Sequence, residues 1–425
     1  MGSSCQQIFL NIINQVFTTG PIPDDWKTHI IIPILKPGKD PSSALNYRPI
    51  AISSTLSKVM EHLVKNRLEW ILENRGILSR TQFGFRKGFS TMDSLSILVS
   101  DIRLAFSNNE YLVGVVVDVR SAYDDVILPL LRQKMQQLNI PERITNFVSN
   151  LLSQRHILVS SECKLTSPRP VWKGLPQGSV LSPLLYSLYT YELDRSVNYL
   201  ANVLQYADDL VLYASDISFD QAISRLTQAV KALNFWLIEH GLSISASKSN
   251  SVVFTRRRFS PDVPIHIDDY LIPSQTQVKF LEVILDSKMT GIPHLSYVAA
   301  KCEKNLNVIR SLSGSWWGSH PYSQKLLYNA LIRSQFDYGC FLLEPCSKMA
   351  LNILDKIQSK CLRIITGAMK STPILALQVE CVEPPLFLRR QYLSDRFLFK
   401  AACYLHHPLL SKLHSLNQLV KRSQY

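Results

Sequence analysis

Apolar positions along the first ninety residues follow two rhythms. From His29 to Leu35 a β-branched run predicts a strand that stops at Pro37-Gly38. Leu56, Val59, Met60, Leu63, Leu68, Ile71 and Leu72 then recur at helical spacing, predicting a helix over 55–74 with Gly76 as its stop. Between Tyr111 and Phe254 the order reads strand, helix, loop, helix, hairpin, helix, strand. The run Val113-Gly-Val-Val-Val-Asp118 is too apolar for an edge strand and is expected to be buried on both faces. Ile223, Leu226, Val230, Leu233 and Leu237 mark one stripe of a helix ended by Gly241, so a helix-backed sheet is the expected assembly. Beyond Pro293 the strand signals fade. Segments 297–312, 324–334 and 351–365 read as helices of a separate unit.

Composition narrows the class. A length of 425 residues suggests two to four packed units at roughly 150 residues each. A hydrophobic fraction of 46% against 19% charged describes a globular chain and excludes disorder throughout. The 46 Lys and Arg outnumber 33 Asp and Glu, and a net charge of +13 favours a polyanionic partner. Arg256-Arg257-Arg258 is the one compact basic run. No run reaches the roughly 18 apolar residues of a membrane span, and Asn11, Asn14 and Gln15 interrupt any secretory signal. Eight cysteines, at 5, 163, 302, 340, 346, 361, 381 and 403, form no CxxC pair. Reduced thiols in an intracellular protein, nuclear or cytoplasmic, are the plain expectation.

The densest chemistry lies in Tyr206-Ala207-Asp208-Asp209, between the β-type runs Val203-Leu204 and Leu210-Val211-Leu212-Tyr213. This pattern predicts a hairpin with adjacent carboxylates at its turn. Adjacent aspartates are by themselves ordinary turn formers. Asp118 changes the weighting, because a carboxylate ending a buried strand is costly unless paired or holding a metal. Three gathered carboxylates repel one another, and magnesium, a hard cation preferring oxygen, removes that conflict. Two such ions suit an in-line phosphoryl transfer.

With Gly174-Leu-Pro-Gln177-Gly178-Ser-Val-Leu-Ser-Pro183 lying between Asp118 and the hairpin, the chain resembles the palm of reverse transcriptases, in the variant of jockey-like non-LTR retrotransposons. Further motifs follow in order: Ile31 to Lys39, Asn46-Tyr-Arg48-Pro-Ile, Gln82-Phe-Gly-Phe-Arg86-Lys87-Gly, Gly241-Leu-Ser-Ile with Lys248, and Val278-Lys-Phe280-Leu281.

The resemblance implies an α+β right-hand polymerase that copies an RNA template from a DNA primer using deoxynucleoside triphosphates. Fingers with an N-terminal extension would occupy 1–110, a palm of antiparallel sheet backed by helices 111–292, a helical thumb 293–370, and a C-terminal connector 371–425. Asp118, Asp208 and Asp209 are implied as catalytic. With Val119 they would surround two Mg²⁺ ions, for which Mn²⁺ can substitute. Lys36, Arg48, Tyr123, Gln177, Gly178 and Lys248 are implied for the nucleotide. Tyr123 would close the pocket beneath the sugar, and Lys248 would serve the leaving pyrophosphate. Arg86 and Lys87 are implied for template, and Phe280 and Leu281 for primer. Taken alone, these charged residues read equally well as solvated surface, and Tyr123 as a core aromatic.

Lys301, Lys304 and Arg310 are the corresponding thumb cations. Where the family has glycine after Leu281, this chain has Glu282, which adds negative charge near a polyanion and removes backbone freedom. That departure keeps a second reading open, a nucleic-acid-binding remnant without catalysis. A polymerase copying DNA, or a maturase-like helper, is a third. The endonuclease and RNase H patterns found in such elements are not seen before Ile8 or after Gly367, so the chain is expected to be part of a longer polyprotein or a fragment of a degraded genomic copy.

Overall fold

The computed structural model describes residues 2–423 apart from 162–163, 198, 259–260, 315–316, 343, 345 and 405–406. After helix α1 (Ser3–Thr19), strands β1 (Thr28–Leu35) and β2 (Tyr47–Ile52) form an antiparallel hairpin in which Ile34 faces Arg48. Helices α2 (Thr55–Asn74) and α3 (Thr91–Ser107) lead to the long strand β3 (Tyr111–Arg120). Asp93 starts α3 by accepting the backbone N–H of Ser90 at 2.6 Å. Helices α4 (Leu128–Gln137) and α5 (Glu142–Leu152) precede β4 (Arg155–Ser161) and β5 (Arg169–Val171). Helix α6 (Ser182–Tyr189) then delivers the hairpin β6 (Asn202–Tyr206) and β7 (Asp209–Asp216). Helix α7 (Phe219–Glu239), strand β8 (Asn250–Phe254) and the hairpin β9 (Gln277–Phe280) and β10 (Val283–Asp286) follow. Among the described residues the rest is helical, including α8 (Ile292–Ser311), α9 (Lys348–Thr366), α10 (Leu386–Ala402) and α11 (Pro408–Ser423).

Two sheets result. The first runs β2-β1-β4-β5, with β1 and β4 parallel; the second is antiparallel in the order β8-β3-β7-β6. The expected loop after the first palm helix is therefore replaced by α5, β4 and β5. The apolar spacing of Ile144, Phe147, Val148, Leu151 and Leu152 does mark α5, but no short-range signal gives the pairing of β4, whose partner β1 lies more than a hundred residues upstream.

Period-two alternation divides β3 between two cores. Val113, Val115, Val117 and Val119 join the core built by α2, α6 and α7, while Leu112 and Val116 face Leu95, Leu98 and Ile102 of α3. Asp118 belongs by parity to the second face, at the end that α3 leaves open. Its side chain is 40% exposed, so the expectation of a costly buried carboxylate is corrected. A third core joins α8, the segment 321–337 and α9.

Helix α2 has its expected bounds but not its whole expected stripe. Leu56, Val59 and Leu63 are exposed, and the inward face carries Met60, Glu61, Val64, Leu68 and Leu72. Segment 371–425 also does not stand apart. Helix α11 packs along α3, and His407 reaches Asp93 at 2.9 Å in a buried contact. The seven described cysteines are free thiols; Cys163 lies outside the described residues.

Glu61 is 1% exposed yet has a purpose there. Its Oε2 accepts the backbone N–H groups of Val180 at 2.8 Å and Leu181 at 3.3 Å, along with the Ser179 hydroxyl, at the start of α6. Replacing Glu61 with Ala orphans those amides and should cost about 2–4 kcal/mol in urea unfolding. A loss below about 0.5 kcal/mol, the scale of an ordinary surface change, would contradict this role.

Candidate active site

Sheet register brings two of the aspartates together and leaves the third at the adjoining turn. Asp118 of β3 lies directly opposite Asp209 of β7, which places both side chains on one face with Cβ atoms about 5 Å apart. Tyr206 pairs with Asp209 across a two-residue turn of Ala207 and Asp208, and Ala207 holds a left-handed φ of +58°. That strained turn is braced from behind. Phe83 N–H donates to the Gln205 carbonyl, and Gln205 N–H donates to the Thr81 carbonyl, each at 2.9 Å. A Cβ on Gly84 would stand 2.4 Å from the Ala207 nitrogen, so only glycine permits this approach. The Gln205 amide also donates to Thr190 Oγ1 at 2.8 Å.

Asp118 is anchored by its own backbone. Its N–H donates to Ser249 Oγ at 3.3 Å, and its carbonyl accepts from Ser245 N–H at 2.7 Å. That same turn carries Lys248, whose Nζ lies 3.3 Å from Asp118 Oδ2. Crowding by protein pushes the Asp209 carboxyl up to about 6, with further contributions from the charges of Asp208, Asp118 and Glu282. Asp208 is raised as well, first by burial and then by Asp118; its own backbone N–H and Arg48 pull the other way.

Arg48 therefore acts across the cleft, from the first sheet onto the acidic hairpin. Lys36 follows the end of β1 on the same face, because its N–H donates to the Asn46 carbonyl and continues the register; its Nζ donates to the Leu45 carbonyl at 2.8 Å. Between the sheets lies the loop with Gln177 and Gly178. Ala51 N–H of β2 donates to the Gln177 carbonyl at 2.7 Å, and the Gln177 amide reaches both Asp124 oxygens at 3.1 and 3.2 Å. Gly178 has φ +129°, and a Cβ there would stand 2.5 Å from the Ala51 carbonyl oxygen. Tyr123 stacks on the buried Tyr186, with ring centroids 5.1 Å apart and planes at 19°. Burial and then the charge of Asp208 raise the Tyr123 phenol, which puts that ring beside the acidic hairpin.

Three expected contacts take different places. The Arg86 guanidinium is spent internally, on Glu73 at 2.7 and 2.8 Å, on the Ser79 and Gln82 carbonyls, and over the Phe89 ring; of the two cations expected for template, Lys87 is the exposed one. Phe280 is 1% exposed and packs in the core shared with α3, because its parity on β9 turns it inward. The hairpin tip is Leu281 and Glu282, at φ +45° and +65°. Glu282 thus adopts the left-handed conformation that glycine favours. Tyr338 OH donates to the Leu281 carbonyl at 2.7 Å, and the Glu282 carboxylate takes Lys279 Nζ at 2.9 Å and Tyr297 OH at 3.3 Å. Glu61, Asp124, Ser249 and Gln205 were not anticipated. Glu61 left no clear signal, because the apolar stripe expected for its helix lay partly on another face.

The donor set suits a divalent cation: oxygen ligands, mutual repulsion and an open face. Val119, with its side chain buried, can offer only its carbonyl oxygen. Among the described residues no three His, Cys, Asp or Glu side chains yet close around one point. Among the described residues no helix is long and apolar enough to cross a membrane.

An acidic hairpin on a helix-backed antiparallel sheet, facing a second sheet with cationic side chains, places the chain among right-hand nucleotide polymerases. Within that class it belongs to the reverse transcriptases: residues 34–285 match the family described as reverse transcriptase (RNA-dependent DNA polymerase). It is 30% identical over 412 residues to a probable RNA-directed DNA polymerase from transposon BS of Drosophila melanogaster, covering 94% of this chain and 45% of that protein. A probable RNA-directed DNA polymerase from transposon X-element of the same fly is 31% identical, over 84% of this chain and 39% of its own length. The polymerase of its mobile element jockey is 30% identical, over 85% and 40%. The chain thus spans about half the length, or less, of these curated relatives. Among solved structures, apo telomerase from Candida tropicalis aligns with a TM-score of 0.46 at 10% identity, covering 90% of this chain and 70% of that one.

The raised Asp209 carboxyl sets a pH signature for the metal-free protein. Ionising it costs more in the folded state than in the unfolded chain, so the penalty is absent below about pH 4 and complete above about 6. Asp209→Asn should therefore melt at higher temperature than the native protein near pH 8 in chelator, with the advantage gone near pH 4. An equal advantage at both pH values would rule out charge as its cause.

Proposed function

We propose that the chain is the polymerase portion of a non-LTR retrotransposon protein and extends a DNA primer with deoxynucleotides against an RNA template. The observation that carries this reading is the register that sets Asp118 opposite Asp209, with Asp208 at the adjoining turn and Arg48 within electrostatic reach. In this reading residues 1–110 and the β4–β5 segment act as fingers, the rest of 111–292 as palm, 293–370 as thumb and 371–425 as a connector folded back onto the fingers and palm.

Asp118, Asp208, Asp209 and the Val119 carbonyl would hold two Mg²⁺ ions, or Mn²⁺ in their place. Such ions supply Lewis-acid stabilisation of charge developing on the transferred phosphate. Arg48 and Lys36 bind the triphosphate and offset its charge from the fingers side. The Tyr123 ring, held flat by Tyr186, lies under the sugar and leaves no room for a 2′-hydroxyl. Gln177, fixed by Asp124 and Ala51, supports the nascent base pair, and Gly178 keeps the backbone close. Lys248 stands beside Asp118 where it can give a proton to the departing pyrophosphate. Lys87, Lys301 and Lys304, all exposed, meet template and primer phosphates.

Primer extension on an RNA template tests the reading. Asp208→Asn should lower incorporation by about 10³-fold or more, the scale of several kcal/mol of charge stabilisation, while leaving binding of the duplex intact. Equal incorporation in both proteins would sink the assignment. Binding without incorporation by the native chain would favour the second reading, a remnant impaired at Glu282.

Glu282 itself gives a separate expectation. Glu282→Gly relieves a left-handed non-glycine residue and frees Lys279 from its ion pair. A surface pair is worth about 0.5–1 kcal/mol, so the primer–template Kd should tighten roughly 2–5-fold in an anisotropy titration. A weaker Kd would mean that the Glu282 tether to Tyr297 matters more than the released charge.

A further inference from the structure

The basic run Arg256-Arg257-Arg258 has no part in the chemistry above. It follows β8, whose last residue Phe254 pairs with Leu112, six positions along β3 from Asp118. At about 3.3 Å per residue it therefore sits roughly 20 Å from the catalytic carboxylates, at the opposite end of the palm sheet.

Two of the three guanidiniums are held in place. Arg256 lies 5.3 Å from the Phe106 ring centroid. Arg257 lies 4.3 Å over Tyr111, donating to that residue's hydroxyl at 2.9 Å and to the Asn109 carbonyl at 3.0 Å. The Lys288 ammonium donates to the Arg257 carbonyl, which adds a fourth cation to the cluster. All three arginines are exposed, and Arg258 contacts no partner among the described residues.

Among the described residues no acid forms an ion pair with the cluster's cations, and the nearby acids have other partners. Asp286 is occupied by the N–H groups of Lys288, Thr290 and Gly291, at 3.2, 2.9 and 2.9 Å. Asp216, opposite Tyr111, has Arg225 at 3.8 Å. Glu110, adjacent in the chain, takes the Asn108 amide at 3.3 Å.

We infer that this end of the palm is a second nucleic-acid contact, binding the sugar–phosphate backbone of a strand that runs outside the catalytic cleft. Held against Phe106, the Arg256 guanidinium keeps its donor fork in one place, which suits a phosphodiester, while Arg257 spends both terminal nitrogens internally and adds charge alone. Polybasic segments that bind membrane surfaces act through clustered charge close to the lipid and need no such fixing. The contact is to backbone, so it carries no sequence preference and weakens with salt.

The test is the salt dependence of binding to a single-stranded RNA and to a DNA of the same sequence, neither offering a primer end. In the full chain with Arg256→Gln, Arg258→Gln and Lys288→Gln combined, the slope of log Kd against log salt should fall by about 2, at about 0.7 per lost contact. Arg258→Glu alone should lower it by about 1 without touching any internal contact. Extension of a short primer–template confined to the cleft should be unchanged. Both variants can also be measured in the Asp208→Asn protein, so failure of the polymerase reading leaves this test standing. An unchanged slope in the Arg258→Glu protein overturns the inference. So does a loss confined to phosphatidylserine vesicles with nucleic-acid binding intact.

Discussion

Everything at the catalytic end depends on one constraint, the pairing register between β3 and β7. Like charges directly opposite each other destabilise a sheet, yet here Asp118 and Asp209 are held in that relation. What holds them is the alternation of the two strands. Valines at 113, 115, 117 and 119, with Leu210, Leu212 and Ala214, fill one core, and a slip of one residue would turn that whole set outward. The buried apolar area of both strands thus enforces an electrostatic conflict at their ends, and the Lys248 ammonium beside Asp118 relieves part of it.

The rest of the site is a set of braces on that register. The Thr81–Gly84 segment lies so close behind the Ala207 turn that only glycine fits at 84, and it pairs with Gln205 through two backbone hydrogen bonds. Gln177 and Gly178 join the first sheet to the second through Ala51. Glu61, from the helix following that first sheet, caps the helix that carries Tyr186. The cleft between Arg48 and Asp208 is therefore bounded by interlocking backbone contacts more than by side chains alone. That suits a site where small displacements of charged groups matter.

The hairpin at Leu281 and Glu282 shows how a chain accommodates a residue its backbone does not favour. Both tip residues are left-handed, and Lys279 of the same hairpin, Tyr297 of α8 and Tyr338 secure the turn. The Glu282 carboxylate is paired with Lys279, and its charge still reaches Asp209. The C-terminal helix adds another long-range tie, closing on α3 through His407 and Asp93.

Local pattern alone determined much of this molecule. The bounds of α2, the buried character of β3, the acidic hairpin and the helical remainder follow from periodicity and turn chemistry, and the motif order marks the family. Those signals are short-range, so they survive in a linear reading. Tertiary structure decided what long-range packing controls: the parallel partner of β4, the inward Glu61, the internal commitment of Arg86, the burial of Phe280 and the return of the C-terminus. A lone charge looks the same in sequence whether it meets solvent, a substrate or an orphaned backbone amide. Only the residues brought beside it by the fold determine which.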